Sequence, residues 1–229
     1  MTPASPRNPP RTGRPRALVV DWGGVLTVPL ADAMGGWATD AEIDREDLRA
    51  VISDWLGPAT AGAGRLNPVH ALERGHLTVP DFEEHLATGL TERTGRPVRT
   101  RGLLARMFEH FAHAPDMAGL VLRARRAGVR TALLSNSWGN TYPRAGWSEM
   151  FDAVVISGEV GMRKPDPEIF HHTLGVLGVA PQETIFVDDL QLNVEAAAAL
   201  GILTVLHQNF AHTAAQLETL GLPLATAQP

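Results

Sequence analysis

Asp21, Ser135, Lys164, Asp188 and Asp189 are the residues of this 229-residue chain whose types and positions could do chemistry together. Asp21 closes the apolar run Ala17-Leu18-Val19-Val20, Ser135 follows Leu133-Leu134, and Asp188-Asp189 follow the run from Thr184 to Val187. Lys164 lies between another apolar stretch, ending at Ile156, and a helix start. Three carboxylates gathered at one place repel unless a cation sits among them, and a hard, oxygen-seeking ion such as Mg²⁺ suits such a set. A hydroxyl, an ammonium and backbone N–H groups together hold a dianionic phosphoryl group. A carboxylate at the centre can act as nucleophile and form an aspartyl-phosphate, dividing hydrolysis into two steps. The metal and Lys164 would then neutralise charge on the transferring oxygens.

Each residue also has a plainer use. Asp188-Asp189 can cap a helix from Leu190, Ser135-Asn136-Ser137 is ordinary loop chemistry, and Lys164-Pro165-Asp166-Pro167 can be a turn leading into a helix. Lys164 stands apart, because it is the chain's only lysine among 20 basic residues. A sequence that uses arginine wherever either residue serves has kept a compact ammonium at one place.

For these groups to meet, the runs that carry them must be neighbouring strands. Ala17–Val20 is wholly apolar and suits a strand buried on both faces of a parallel sheet. Further strands are expected at 129–134, 152–156, 184–187 and 202–206. Helices are expected at 116–128, 166–175, 190–200 and 214–220, with Asp166 as a cap and Pro167 in the first turn. Strands alternating with helices imply βαβ units, hence an α/β fold: a Rossmann-like, doubly wound parallel sheet. In such a sheet every strand's carboxyl end lies along one edge, where ligands bind. From about Gly35 to Thr100 the texture is helical instead. Ile43, Leu48, Val51, Ile52, Trp55 and Leu56 recur at helical spacing, Gly57-Pro58 and Gly62–Gly64 interrupt, and a new helix opens near Asp81. The organisation read from this is a Pro/Arg-rich disordered tail over 1–15, a core over 16–34 and 112–229, and a helical cap inserted over 35–111.

Composition narrows the function. The net charge of −5 gives no drive toward nucleic acid or anionic lipid, and the absence of cysteine removes disulfides, zinc-thiolate sites and a thiol nucleophile. No stretch approaches the length of a membrane span, and residues 1–15 lack a secretion signal's apolar core, so a cytoplasmic protein is expected. Trp22, Trp37, Trp55 and Trp147 read as packing residues, with Trp138 as a possible pocket wall. Arg123, Arg125, Arg126 and Arg130 read as a solvated helix face and its exit.

Four segments, in order, resemble the motifs of the haloacid dehalogenase-like hydrolases, in the branch with a helical cap. They are Val20-Asp21-Trp22-Gly23-Gly24-Val25-Leu26-Thr27, Leu133-Leu134-Ser135-Asn136, Gly161-Met162-Arg163-Lys164-Pro165-Asp166-Pro167, and Phe186-Val187-Asp188-Asp189 with Asn193 and Ala196–Ala199. The resemblance covers about residues 16–210. It implies a Mg²⁺-dependent phosphatase of a small phosphorylated metabolite. Asp21 would be nucleophile and metal ligand, and the Gly23 backbone carbonyl, Asp188 and Asp189 the other ligands. Ser135, Asn136 and Lys164 would hold the phosphoryl group. The cap would select the substrate. Oligomeric state is open between monomer and homodimer.

One position departs from the pattern. Phosphatases of the family carry a second aspartate two residues after the nucleophile, as general acid, and here that position is Gly23. The substrate would then have a good leaving group, or a cap residue or water would supply the proton, His70 and His76 being the cap histidines considered. Otherwise the protein would be a catalytically weak member that binds a metabolite or a protein. A 2-haloacid dehalogenase is a further alternative, disfavoured because Asp188 and Asp189 are both present.

Overall fold

A computed structural model describes residues 13–56, 67–139 and 142–225. The expected breaks at Gly57-Pro58 and Gly62–Gly64, and the tail up to residue 12, lie outside the described residues. Strands β1 (Ala17–Val20), β2 (Arg130–Ser135), β3 (Ala153–Ile156), β4 (Thr184–Asp188) and β5 (Leu203–Leu206) form one parallel sheet in the order β3-β2-β1-β4-β5. The fold is the Rossmann-like α/β arrangement expected. β1 is central and fully buried, which is why its sequence is apolar on both faces.

The period of two along the strands sorts their side chains into two layers. Leu18, Val20, Leu133, Ile185 and Val187 face helices α6 (Pro115–Arg126) and α11 (Phe210–Thr219), through Leu120, Val121, Ala124 and Leu217. Ala17, Val19, Leu134 and Phe186 face α9 (Pro167–Leu177) and α10 (Gln191–Ala199), through Ile169, Phe170, Leu174 and Ala197. Short helices α7 (Trp147–Met150) and α8 (Ser157–Val160) flank β3.

Register sets the level of the functional groups. Val20 pairs with Leu133 on one side and Val187 on the other, so Asp21 and Asp188 leave adjacent strands at the same height. The N–H of Asp21 donates to the carbonyl of Val187 at 2.9 Å, extending the ladder one step into the site.

Between β1 and α6 the chain forms α1 (Leu30–Asp40), α2 (Arg45–Leu56), α3 (Pro68–Glu73), α4 (Val79–Thr94) and α5 (Leu103–Phe108). It leaves and returns along paired passages: Val28 N–H donates to the Ala112 carbonyl, and Ala114 N–H to that of Leu26, both at 2.9 Å. Residue 35, the expected start of the insertion, lies inside α1, which already begins at Leu30. α11 likewise begins earlier than expected because Asn209 caps it, accepting the N–H of His212 at 2.9 Å. Among the described residues no helix is long and apolar enough to cross a membrane.

Two other expectations change. Asp166 occupies the N-cap of α9, but its carboxylate pairs with Arg74 instead of capping. Arg125 and Arg130 are anchors as well as surface groups: Arg125 bonds Asp152 and the Ser148 carbonyl, and Arg130 the Leu177 carbonyl.

α5 has no side-chain cap of its own at Gly102. The buried carboxylate of Glu83 on α4 takes that place, accepting the N–H groups of Gly102 at 2.9 Å and Leu104 at 2.8 Å. This fixes the helix that brings Met107 and Phe108 to the site. Glu83→Ala should lower unfolding stability by about 2 kcal/mol, since two N–H groups lose a charged acceptor. Denaturant titration checks this, and an unchanged midpoint would show that α5 is held by its apolar face alone.

Candidate active site

The centre of the site is an ammonium held between carboxylates from two strands. Lys164 Nζ lies 2.8 Å from Asp21 Oδ1 and 2.6 Å from Asp188 Oδ2, and Lys164 is only 1% exposed. Burial alone would lower its pKa, but the charges of Asp188 and Asp21 more than reverse this and hold the amine protonated well above the usual lysine value.

Its backbone is held as firmly. The Asn136 side chain accepts from the Lys164 N–H at 2.8 Å and donates to the Lys164 carbonyl at 2.9 Å. One amide N–H and the amide oxygen of Asn136 thus brace the lysine's main chain, and the residue also lines the cavity over Asp21.

Asp188 is fully buried and heavily bonded. Besides Lys164 it accepts from Leu190 N–H at 2.9 Å and from the Asn193 amide at 3.0 and 3.2 Å. Asp189 is half-buried beside Gly24. A side chain on Gly24 would bring Cβ to 2.2 Å from Asp189 Oδ2, and Gly24 has φ of 73°, so only glycine fits there. One carboxylate oxygen each from Asp21, Asp188 and Asp189 lie within 4.8 Å of one another.

This set is short of positive charge. Burial first, then Asp188 and Asp189 as like charges, push the Asp21 carboxyl up to about 7, while Lys164 opposes them. Burial and Asp188 push Asp189 up to about 6. Three carboxylates around one ammonium, all oxygen donors, are the surroundings that a hard divalent cation relieves.

Above the cluster is a cavity of about 100 Å³, lined by Asp21, Gly23, Ser135, Lys164 and Asp189 at its floor and by Trp22, Phe108, Phe111, Trp138 and Tyr142 higher up. Trp22 is thus both packed and exposed to the pocket, and Trp138 does wall it. Ser135 is buried, and its hydroxyl lies 3.0 Å from that of Tyr142. A cavity of about 920 Å³ on the insertion, between Asp40–Asp47 and Arg93–Arg106, contains none of these groups.

Sequence reading missed two members of the site. Tyr142, the chain's only tyrosine, sits with its ring 5.0 Å from Trp22, and burial raises its pKa to about 12. Glu73, at the end of α3, accepts from Trp138 Nε1 at 3.2 Å and from Arg163 Nε at 2.5 Å. Neither follows a strand or stands in a motif, so nothing in the local sequence marks them. His70 and His76 do not line the cavity; His76 is exposed.

A family model for haloacid dehalogenase-like hydrolases matches residues 15–201, most of the chain. The chain belongs to the haloacid dehalogenase-like hydrolases. It is 39% identical over 203 residues to a sesquiterpene phosphatase of Aspergillus oryzae, covering 82% of this chain and 87% of that protein. It is 35% identical over 134 residues to a phosphoserine phosphatase of Thermus thermophilus, covering 55% of this chain and 54% of that one. Across the first curated relatives it spans between 20% and 54% of their length. A haloacid dehalogenase-family enzyme of Bacteroides thetaiotaomicron, crystallised with magnesium and inorganic phosphate, shares the fold with a TM-score of 0.61 and 23% identity, over 87% of this chain and 98% of that one.

The raised carboxyls of this hydrolase have a measurable sign. Asp21 and Asp189 bind protons more tightly folded than unfolded, so without metal they add stability as pH falls from about 7 toward the ordinary carboxylate range. Mg²⁺ should substitute for those protons. Its effect on Tm should be positive and largest above pH 7, and should fade toward pH 5. Thermal melts at pH 5 and 8, with and without MgCl₂, check this; equal shifts at both values would count against a metal among these carboxylates.

Proposed function

We propose that the protein is a Mg²⁺-dependent phosphatase that works through an aspartyl-phosphate on Asp21. The observation that carries the reading is the buried Lys164 ammonium on the carboxylates of Asp21 and Asp188, with Asp189 alongside. The phosphatase relatives, including those acting on phosphoserine and sesquiterpene phosphates, support the same chemistry.

In this mechanism an Asp21 carboxylate oxygen attacks phosphorus, the Asp21–phosphorus bond forms, and the bond to the leaving oxygen breaks as that oxygen takes a proton from solvent water. Water then attacks the phosphoryl group, releasing inorganic phosphate and restoring Asp21. Lys164 favours the ionised form of Asp21 against burial and the neighbouring acids and fixes Oδ1, which leaves Oδ2 as the attacking atom. Asn136 holds Lys164 in place, and Ser135 offers its hydroxyl to a phosphoryl oxygen. Asp21, Asp188, Asp189 and the Gly23 carbonyl would hold Mg²⁺, which when bound supplies positive charge to the phosphoryl oxygens. The helical insertion serves as the cap over the pocket.

Asp21→Asn should reduce phosphate release by about a thousandfold or more. The assay is release from a panel of sugar, acyl and nucleotide phosphates, with and without Mg²⁺. Release from none of them, with the variant indistinguishable from the parent, would instead support a binding module, the reading that Gly23 favours.

Gly23 leaves room for the missing acid. A Cβ built on it meets nothing nearer than Phe111 Cε1 at 4.0 Å, and its backbone is not left-handed. General acids contribute about 10²–10⁴ in rate. Gly23→Asp should therefore raise kcat for alkyl phosphates about tenfold or more and leave acyl phosphates nearly unchanged. Equal rates for both classes would mean that protonation of the leaving group does not limit turnover.

A further inference from the structure

The cavity over Asp21 is divided by chemistry. Its floor is charged, whereas its upper wall is built from Trp22, Met107, Phe108, Phe111, Trp138 and Tyr142. The rings touch one another: Trp22 stacks on Phe111 at 5.2 Å between centroids, and Phe108 lies 5.5 Å from Phe111. They come from three separate stretches of chain, so the apolar wall is assembled by the fold and is not one helix's buried face.

The polar side chains that reach this lining outside the floor are already engaged. Both Glu73 oxygens are taken, one by Trp138 and one by Arg163. Asn193 donates from its amide to Asp188, Asn136 bonds Lys164 through both its amide oxygen and its amide nitrogen, and the Tyr142 hydroxyl lies 3.0 Å from that of Ser135 on the floor. A polyhydroxy or amino-acid leaving group would give up its water and find few partners in exchange, which costs affinity for each unsatisfied group. An apolar group gives up nothing and buries surface.

We propose that the site selects phosphomonoesters whose leaving group is apolar next to phosphorus, an alkyl, prenyl or benzyl alcohol, over those of sugars and amino acids. The aromatic wall made by Trp22, Phe108, Phe111 and Trp138 is the selecting element. This rests on the phosphatase reading for its chemistry, while its recognition half stands on the wall alone. The space is narrow. An apolar cavity of about 150 Å³ holds benzene, so the roughly 100 Å³ here takes the phosphoryl group and the first few carbons. Longer chains would extend out through the opening.

Equilibrium binding tests recognition without turnover. In the presence of Mg²⁺, n-hexylphosphonate and 2,3-dihydroxypropylphosphonate present the same head group with an apolar or a polar tail. Each buried methylene is worth roughly fourfold, so hexylphosphonate should bind at least about tenfold more tightly. Phe108→Ser should shrink that ratio, whereas general damage to the site would weaken both ligands alike. Equal or tighter binding of the dihydroxy compound, or no binding of either, would overturn the proposal. Turnover of n-hexyl phosphate against glycerol 1-phosphate, two primary alkyl esters, is measured in parallel. Binding preference without turnover of any ester would discard the phosphatase reading and keep the selectivity; turnover that favours glycerol 1-phosphate would overturn the selectivity and keep the phosphatase.

Discussion

The structure depends on one buried cation. Lys164 reaches the sheet edge with almost no exposure and meets carboxylates from β1 and β4 at once. An ammonium taken out of water is costly unless it is closely paired, and a pair that deep is strongly felt by everything near it. Here the pairing is over-supplied on the acidic side. Two carboxylates pair with the amine, and the third, Asp189, makes no ion pair of its own among the described residues. The folded chain thus carries an excess of carboxylates at one point, at the end of the central strand, and it is this excess that a divalent cation would relieve under the proposed function.

Holding such a cluster requires rigid surroundings, and the chain supplies them from both sides. The parallel register puts Asp21 and Asp188 at one height without help from any side chain. Asn136 then binds both main-chain groups of Lys164, so the lysine's position is set by β2 even though it lies in a different loop. The helical insertion completes the frame. Glu73 and Arg74, adjacent at the end of α3, pair with Arg163 and Asp166 on either side of Lys164 and Pro165. Ser157 ties the same place together, donating to the Glu73 carbonyl while accepting from Ser137 N–H. The loop that carries the Lys164 amine is therefore gripped by the insertion, and any movement of the insertion is felt there.

The sheet and the charged groups at its edge were legible because each is written locally. β1 is a continuous apolar run and β4 and β5 are nearly so; Asp21 stands one residue past β1, Asp188 closes β4 and Asp189 follows it. The unusual retention of one lysine marked Lys164 before any contact was known. What escaped was written non-locally or against propensity. α1 contains Gly35 and Gly36, each costing about 1 kcal/mol in a helix, and they are there because Arg45 and His110 pack against them. Glu73 looked like one more helix carboxylate; its partners lie 65 and 90 residues away. Tyr142 sits in a loop with no periodicity. Asn136 was recognised as part of the site, but its bracing of the Lys164 main chain was not, since sequence cannot tell which side-chain amide holds a backbone.

The same wall that makes the pocket apolar bears on the position where the acid is missing. Gly23 opens toward Phe111, whose Cε1 is the one atom within 4.0 Å of a Cβ built there, and Phe111 stacks on Trp22. A carboxylic acid there would have been one more buried acid beside an already over-supplied set, and its ionised form would have worked against Asp21. Glycine there adds no charge to the acids around Asp21. A dry wall also strengthens the pull of Lys164 on a phosphoryl group, because the field between charges falls less steeply where water is excluded. Under the proposed function glycine at 23 leaves the alcohol oxygen of an alkyl ester, which needs a proton as much as that of a sugar, to take it from solvent water.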